Sequence, residues 1–395
     1  MNPLITPAEA EHLILAHLPI LPTEDVPLEF ADQRVLATPL TADRPLPPYD
    51  RVMMDGICFR SANASVADAR IRIHGLHAAG DPAPEPLPDH SCWEIMTGAR
   101  LPDDCDTVVP YEQIERDGGD AILTETPPSP GTHIHALGSD FAQGAELVPT
   151  GTVITSRIAA VAATVGATSL SVIRKPRVTI LTTGDELVPP EQVPAPHQIR
   201  RSNDAALRTA LHAWGPCEVT TQHLPDCPDQ LTTALQSALQ TADLILSCGG
   251  ISKGKRDHIR PVLENLLGVP LFHGIAQRPG KPLAFWSGPP PLFALPGNPM
   301  SALICFHRYV LPALHHMTGR PRPALRLPLV RDFHFAPPLT YFLPVHLTPD
   351  HHADPRPLQN SGDFASAIDS TGFLELPADQ TGFPKATTAP YIPWL

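Results

Sequence analysis

Two apolar runs each end in a glycine turn that carries reactive groups. Val178 to Leu181 leads into Thr182-Thr183-Gly184-Asp185-Glu186, and Leu244 to Leu246 leads into Ser247-Cys248-Gly249-Gly250-Ile251-Ser252. Each run is short and β-rich, the pattern of a buried parallel strand. Ligands of parallel sheets bind in the crevice beyond the carboxyl ends of the strands. The first turn offers two carboxylates, able to hold Mg²⁺ against a phosphate. The second offers a glycine bend whose N–H groups can cradle an oxyanion. The pairing points to phosphate chemistry.

Other segments add to it, each with a plainer reading beside the chemical one. Asp185-Glu186 either caps a short helix or supplies a Mg²⁺ or substrate ligand. Gly249-Gly250-Ile251-Ser252-Lys253-Gly254 holds three glycines in six positions, more than a tight turn alone needs. Asp257 opens the next helix, as an N-cap or as a metal or substrate contact. Arg278-Pro279-Gly280-Lys281-Pro282 sets two cations around a rigid turn, suited to an oxyanion. Leu295-Pro296-Gly297-Asn298-Pro299-Met300-Ser301 reads as a strand-to-helix turn with Asn298 as N-cap and Pro299 first in the helix. Its helix N-terminus is an anion site if it lies at the sheet's carboxyl end. Met54-Asp55-Gly56 and Met96-Thr97-Gly98-Ala99 are ordinary turns taken singly.

The elements that must position these groups are legible in outline. The chain has 395 residues, enough for two to four domains. Its 50 prolines are about twice the usual share and are spread along it as loops and edge strands. The net charge of −13, with no basic run, excludes an ordinary nucleic-acid binder. Seven cysteines without a CxxC pair argue against zinc and redox motifs. No signal pattern or apolar span of ~20 residues is present, so the expectation is a cytoplasmic protein with no membrane segment.

Thr6-Pro7-Ala8-Glu9 is a capping box opening an amphipathic helix through Ala10, Leu13, Ile14 and Leu18. Short β segments fill Pro45 to Leu137, and helical periodicity returns at Ser156 to Val165. From Pro176 strands alternate with helices (Asn203–Trp214, Pro228–Thr241, Asp257–Leu267, Pro299–Met317), which predicts a parallel sheet covered on both faces. Leu283–Trp286 and Pro291–Leu295 read as a hairpin. After Pro321 short strands suggest a small sandwich or barrel.

Taken in order, the motifs resemble the MoeA family of molybdopterin molybdenumtransferases, related to the gephyrin E domain. The resemblance rests on Pro47-Pro48-Tyr49-Asp50, Met54-Asp55-Gly56, Met96-Thr97-Gly98-Ala99, Thr183-Gly184-Asp185-Glu186-Leu187 and Ser202-Asn203. It continues through Cys248-Gly249-Gly250-Ile251-Ser252, Pro279-Gly280-Lys281-Pro282 and Leu295-Pro296-Gly297-Asn298-Pro299. It implies a multidomain α/β and β architecture in four parts. These are a discontinuous helical dimerisation domain (1–45 with 138–175), an inserted β-rich domain (46–137), a Mog/MoaB-like three-layer α/β domain with a parallel-rich sheet (176–320) and a C-terminal β-barrel (321–395).

The implied reaction inserts molybdate into adenylylated molybdopterin and releases AMP, with Mg²⁺ assisting. Asp55 and Thr97 would face Asp185, Glu186, Asp257 and Lys281 across a homodimer, with Asp185, Glu186 and Asp257 holding the metal. Gly184, Ser247, Gly249, Gly250, Ser252, Arg278, Gly280, Pro296, Gly297, Asn298, Pro299 and Ser301 would bind the pterin substrate. Implied partners are the upstream adenylyltransferase and recipient molybdoenzymes, and neither nucleic acid nor a membrane.

The chain departs from the family pattern at Arg51-Val52, Ile57, His135-Ala136-Leu137 and Ser139, and at Arg201, Lys255 and Arg256, where acidic or small residues are usual. Those departures favour one rival reading, a non-catalytic molybdopterin-binding or chaperone paralogue; a second, a molybdopterin adenylyltransferase on the same α/β domain, is disfavoured because the β-rich and C-terminal parts carry matching residues too.

Overall fold

The structure, a computed structural model, describes residues 4–249, 259–360 and 368–395. The chain divides into two compact units, one of residues 1–38, 150–156 and 169–395, the other of 39–149 and 157–168. Among the described residues no helix is long and apolar enough to cross a membrane.

The first unit is built on a six-stranded sheet. Its order is Glu218–Leu224, Arg177–Thr183, Leu244–Cys248, Leu292–Leu295, Ala284–Trp286 and Phe272–His273. The first four strands are parallel and the last two antiparallel. The expected hairpin is therefore present, and it turns a parallel sheet into a mixed one. Side chains alternate between two apolar layers as a strand's period of two requires. Val178, Ile180, Leu244 and Leu246 pack on one face with helix Asn203–Trp214 and the helix that starts at Pro299. Leu181 and Ile245 pack on the other with Pro228–Thr241 and Ile259–Leu267.

The N-terminal helix Pro7–Ala16 has its capping box in place: Thr6 Oγ1 accepts from the Glu9 N–H at 3.2 Å, and Glu9 Oε2 accepts from the Thr6 N–H at 2.7 Å. Ala10 and Ile14 bury in the same layer as Trp214. That apolar stripe draws the helix into the first unit, whereas helix Ser156–Thr164 lies mostly in the second. Strand pairs accompany these two helices, Thr23–Pro27 with Ser169–Ile173 and Leu40–Thr41 with Glu146–Val148. Val26, Leu170 and Val172 carry the period-two pattern responsible.

The predicted helix Pro299–Met317 is interrupted. It runs α over Pro299–Cys305, π over Phe306–Val310 and α again over Leu311–Thr318. In the π turn the Leu311 N–H bonds to Phe306 O, five residues back. Pro312 accounts for this, since it has no N–H to give and its ring excludes the carbonyl four residues before it. Gly319, at φ 65°, ends the helix in the left-handed region.

A second sheet orders Gln277–Arg278, Thr340–Leu347, Gly372–Leu376, Thr388–Pro393 and Leu325–Pro328, with Ala353–Pro355 paired to Thr340–Leu347. Among the described residues this pairing is an open path. It takes its edge strand, Gln277–Arg278, from the segment expected to belong wholly to the α/β domain. Buried Arg308 ties the layers together, bonding Glu375 at 2.7 Å and Glu11 at 2.5 Å. The second unit holds a six-stranded sheet ordered Thr107–Pro110, Gly56–Phe59, Ser91–Ile95, Arg70–His77, Asp120–Leu123 and Ile114–Asp117.

One buried titratable group gives the first unit a definite pH response. His307 Nδ1 donates to Leu303 O at 2.9 Å, so Nε2 is free to accept from the Leu395 N–H at 3.2 Å. The neutral ring satisfies both bonds, and burial pushes its pKa down to about 4. The unfolded chain binds this proton near pH 6.5. The contribution is therefore fully present above that pH and is lost as pH falls toward 4, on the order of 3 kcal/mol at most. Urea midpoints at pH 7 and pH 5 should converge in His307→Gln relative to the parent chain; an unchanged difference would refute the assignment.

Candidate functional site

The chain leaves strand Arg177–Thr183 toward one edge of the sheet, pairs Glu218–Leu224 there, and returns to place Leu244–Cys248 on the opposite side. The order reverses between Arg177–Thr183 and Leu244–Cys248, which is where such sheets open a crevice. Three turns converge at that point. Gly249, at φ +100°, lies so close to the first strand's end that a Cβ would stand 3.0 Å from Thr183 O. Gly297 packs against Gly249, its added Cβ 3.6 Å from the Gly249 Cα. Asn203 Nδ2 donates to Gly297 O at 2.8 Å, so the first residue of helix Asn203–Trp214 fixes the third turn.

The cleft above these turns has a volume of about 380 Å³ and carries both signs of charge: Glu186, Asp204 and Asp226 line it with Arg200 and Arg201, beside Thr183 and Gly249. Asp185 does not line it. Its Oδ1 instead accepts the Asp226 N–H at 3.1 Å and fixes the neighbouring turn. Arg201 lines the same cleft, 3.7 Å from Asp204 Oδ2, and its buried Nε has no hydrogen bond among the described residues. His223 bonds Thr182 Oγ1 at 3.2 Å, and its pKa is lowered first by burial and then by Arg201.

A second cleft, of about 540 Å³, adjoins the first and shares Gly297 and Asn298 with it. Its charged groups are Arg278 and Lys281, and Tyr341 and Leu358 supply an apolar wall. Tyr341 stacks on Phe335 at 4.2 Å between ring centroids. Burial raises the Tyr341 pKa, partly offset by Arg278, so the hydroxyl stays protonated. The turn carrying Arg278 and Lys281 does not simply precede a strand of the α/β sheet. It bridges two sheets, since Gln277–Arg278 pairs with Thr340–Leu347 while Ala284–Trp286 pairs in the α/β sheet.

The structure thus gathers Gly184, Glu186, Gly249, Gly297, Asn298 and Pro299 in the first cleft, and Arg278, Gly280, Lys281, Pro296 and Ser301 in the second. Ser247 is buried inside its strand, 1% exposed, with its hydroxyl unpaired among the described residues. Gly250, Ser252, Asp257, Lys255 and Arg256 lie outside the described residues. Asp55 and Thr97 belong to the second unit. Strand register pairs Gly56 with Ile95, which brings the two turns together, and the Thr97 N–H donates to Asp55 Oδ1 at 2.6 Å. That bond holds the Asp55 carboxyl below its usual range. A Cβ at Gly56 would meet Val109 O at 2.0 Å, so only glycine fits beside Asp55.

Sequence reasoning missed Asp204, Asp226, Tyr341 and Asn360 as cleft residues. Asp226 could have been found, because it follows the carboxyl end of Glu218–Leu224 as Asp185 follows its own strand. Tyr341 and Asn360 come from the second sheet or the loop beside it and carry no local signal.

A divalent cation has a suitable donor set here. Among the described residues no three His, Cys, Asp or Glu side chains form a preassembled metal cluster. Mg²⁺ commonly takes only one or two carboxylates and completes its shell with water and phosphate oxygens. Glu186 and Asp226, both lining the first cleft, fit that pattern.

Comparison with known proteins accords with this geometry. Residues 5–166 match the MoeA N-terminal region (domains I and II), 179–316 a probable molybdopterin binding domain, and 326–394 the MoeA C-terminal region (domain IV). A molybdopterin molybdenumtransferase of Synechocystis sp. is 36% identical, covering 99% of this chain and 100% of the relative. One from Bacillus subtilis is 29% identical over 93% of this chain and 88% of the relative. The crystal structure of a molybdopterin biosynthesis MoeA protein from Pyrococcus horikoshii superposes with a TM-score of 0.85 at 28% identity, covering all of both chains. The chain belongs to the MoeA family of molybdopterin molybdenumtransferases, the transferases of molybdenum cofactor biosynthesis.

Proposed function

We propose that this transferase inserts molybdate into adenylylated molybdopterin with release of AMP, assisted by Mg²⁺, as a cytoplasmic homodimer. The observation that carries the reading is a pair of adjoining clefts that share one wall, Gly297-Asn298, one holding three carboxylates with Arg200 and Arg201 and the other Arg278 and Lys281. A phosphoanhydride with a divalent cation suits the carboxylate cleft, and a tetrahedral oxyanion suits Arg278 and Lys281 in the other. Seating the two reactants on either side of one turn supplies the proximity that phosphoryl chemistry mainly requires.

In this reading Glu186, with Asp226 and Asp257, holds Mg²⁺, which neutralises charge on the phosphoanhydride. Asp185 orients the Asp226 turn. Gly184, Gly249 and Gly297 let the backbone approach the substrate, joined by Gly250 and Ser252. Lys281 and Arg278 bind molybdate, with Gly280, Pro296, Asn298, Pro299 and Ser301 shaping its seat. Ser247 supports the strand end beneath them. Asp55 and Thr97 come from a second copy of the chain. The division into segments 1–45 with 138–175, 46–137, 176–320 and 321–395 belongs to the same proposal, as do docking of the upstream adenylyltransferase and of recipient molybdoenzymes.

Purified protein incubated with adenylylated molybdopterin, Mg²⁺ and molybdate should release AMP only when molybdate is present. Tight pterin binding without release, or adenylylation of molybdopterin by ATP, would overturn the reading. Removing Mg²⁺ with EDTA should abolish release, and Mg²⁺ addition should restore it. Lys281→Ala and Glu186→Gln should each lower turnover by about a hundredfold or more, the scale of losing one group that stabilises developing charge. Full activity in both variants would refute the residue assignments.

A further inference from the structure

The turn that carries Arg278 and Lys281 is held by Gln277, which lines the 540 Å³ cleft beside it, and by Cys305 and Tyr309 packed behind. Gln277 is 1% exposed, an amide sunk in an apolar layer. Its Nε2 donates to Pro279 O at 3.3 Å and to Gly280 O at 3.1 Å, and approaches Cys305 Sγ at 3.6 Å. Cys305 Sγ in turn donates to Gly280 O at 3.6 Å. The other end of the amide, Oε1, accepts from the Tyr309 hydroxyl.

An amide can turn over end for end, exchanging a donor for an acceptor. Turned over here, Oε1 would face two carbonyl oxygens, and the turn would be pushed off. The Tyr309 hydroxyl prevents that by claiming Oε1. It reaches Gln277 from the π turn Phe306–Val310, so the interruption of that helix is what carries Tyr309. Burial raises the Tyr309 pKa and keeps its hydroxyl a donor.

The consequence for the turn is directional. In a trans peptide the C=O and the N–H point opposite ways. The Pro279–Gly280 and Gly280–Lys281 peptides are both trans, and both carbonyls face Gln277. Their N–H groups, on Gly280 and Lys281, therefore face away from it. Neither N–H has a partner among the described residues. Two successive unpaired N–H groups beside two cations make an anion nest, and Gly280 and Lys281 both line the 540 Å³ cleft. The fit leaves no slack: a Cβ at position 280, where φ is +90°, would stand 2.5 Å from Cys305 Sγ and 2.7 Å from Gln277 Nε2.

We propose that Gln277, locked in orientation by Tyr309, is the positioning residue of the oxyanion seat, setting the affinity for molybdate by fixing the Gly280–Lys281 turn and the direction of its two unpaired N–H groups. The proposal rests on the reading of that turn as the molybdate seat.

The test uses the full-length protein and molybdate as the probe. Gln277→Leu removes the amide and keeps the volume, and Tyr309→Phe removes only the hydroxyl that orients it. Two hydrogen bonds lost from the turn should raise the KM for molybdate by about tenfold in Gln277→Leu, with kcat changing much less. Tyr309→Phe should shift KM the same way by a smaller factor. Binding of adenylylated molybdopterin, followed by calorimetry, should not change in either. Should Gln277→Leu fail to fold, as judged by its melting curve, Tyr309→Phe carries the test alone. An unchanged molybdate KM in a folded variant, or a fall confined to kcat, would overturn the positioning role. Lys281→Ala separates the two levels. If it weakens molybdate binding while Gln277→Leu and Tyr309→Phe do not, only the positioning role fails; if Lys281→Ala leaves binding unchanged as well, the reading of the turn as the molybdate seat fails.

Discussion

Everything at the functional edge of the first unit depends on how closely three backbones can approach one another. A Cβ at Gly249 would stand 3.0 Å from Thr183 O, so the strand end would have to give way, and Gly297 lies against Gly249 at van der Waals distance. A side chain at 249 would press on the end of strand Arg177–Thr183, at the floor of the first cleft. Glycine is favoured at 249 chiefly by its φ of +100°, and the nearby Thr183 O adds to that preference. The two apolar layers beneath, with Leu244 and Ile245 fully buried on opposite faces, fix the strands whose ends make that contact.

Much of this was legible in the sequence because the signals are local. Helices Asn203–Trp214 and Pro228–Thr241 begin and end at the residues their caps and prolines indicate. Strand ends at Thr183 and Cys248 follow from short apolar runs, and the glycine turns after them mark the crevice. The capping box at Thr6 and Glu9 needed only four residues to recognise.

What escaped the sequence is long-range. Gln277–Arg278 joins a sheet whose other strands begin at Leu325, a choice made by pairing with Thr340 and Tyr341 rather than by anything in residues 277–282. The helices at Pro7–Ala16 and Ser156–Thr164 followed from two periodic stretches, but the strand pair Thr23–Pro27 with Ser169–Ile173 joins residues far apart in the chain, a pairing with no local signal. The π turn has a local cause in Pro312, yet its use, bringing Tyr309 to Gln277, is visible only in three dimensions. The Arg201–Asp204 pair likewise shows that an unusual cation has an acid three residues on, within the same cleft.

The wall shared by the two clefts has a thermodynamic consequence. Gly297-Asn298 is a single turn tethered by Asn203 on one side and continuing into the helix from Pro299 on the other. Any ligand that shifts this turn on entering one cleft changes the free energy of filling the other. That linkage is reciprocal by necessity, so whatever factor one reactant imposes on its neighbour's affinity is returned unchanged. Which site fills first is then set by each ligand's concentration relative to its own dissociation constant, while the common factor sets how readily the second joins the first, and Asn203, which touches the turn through one amide, bears on that factor.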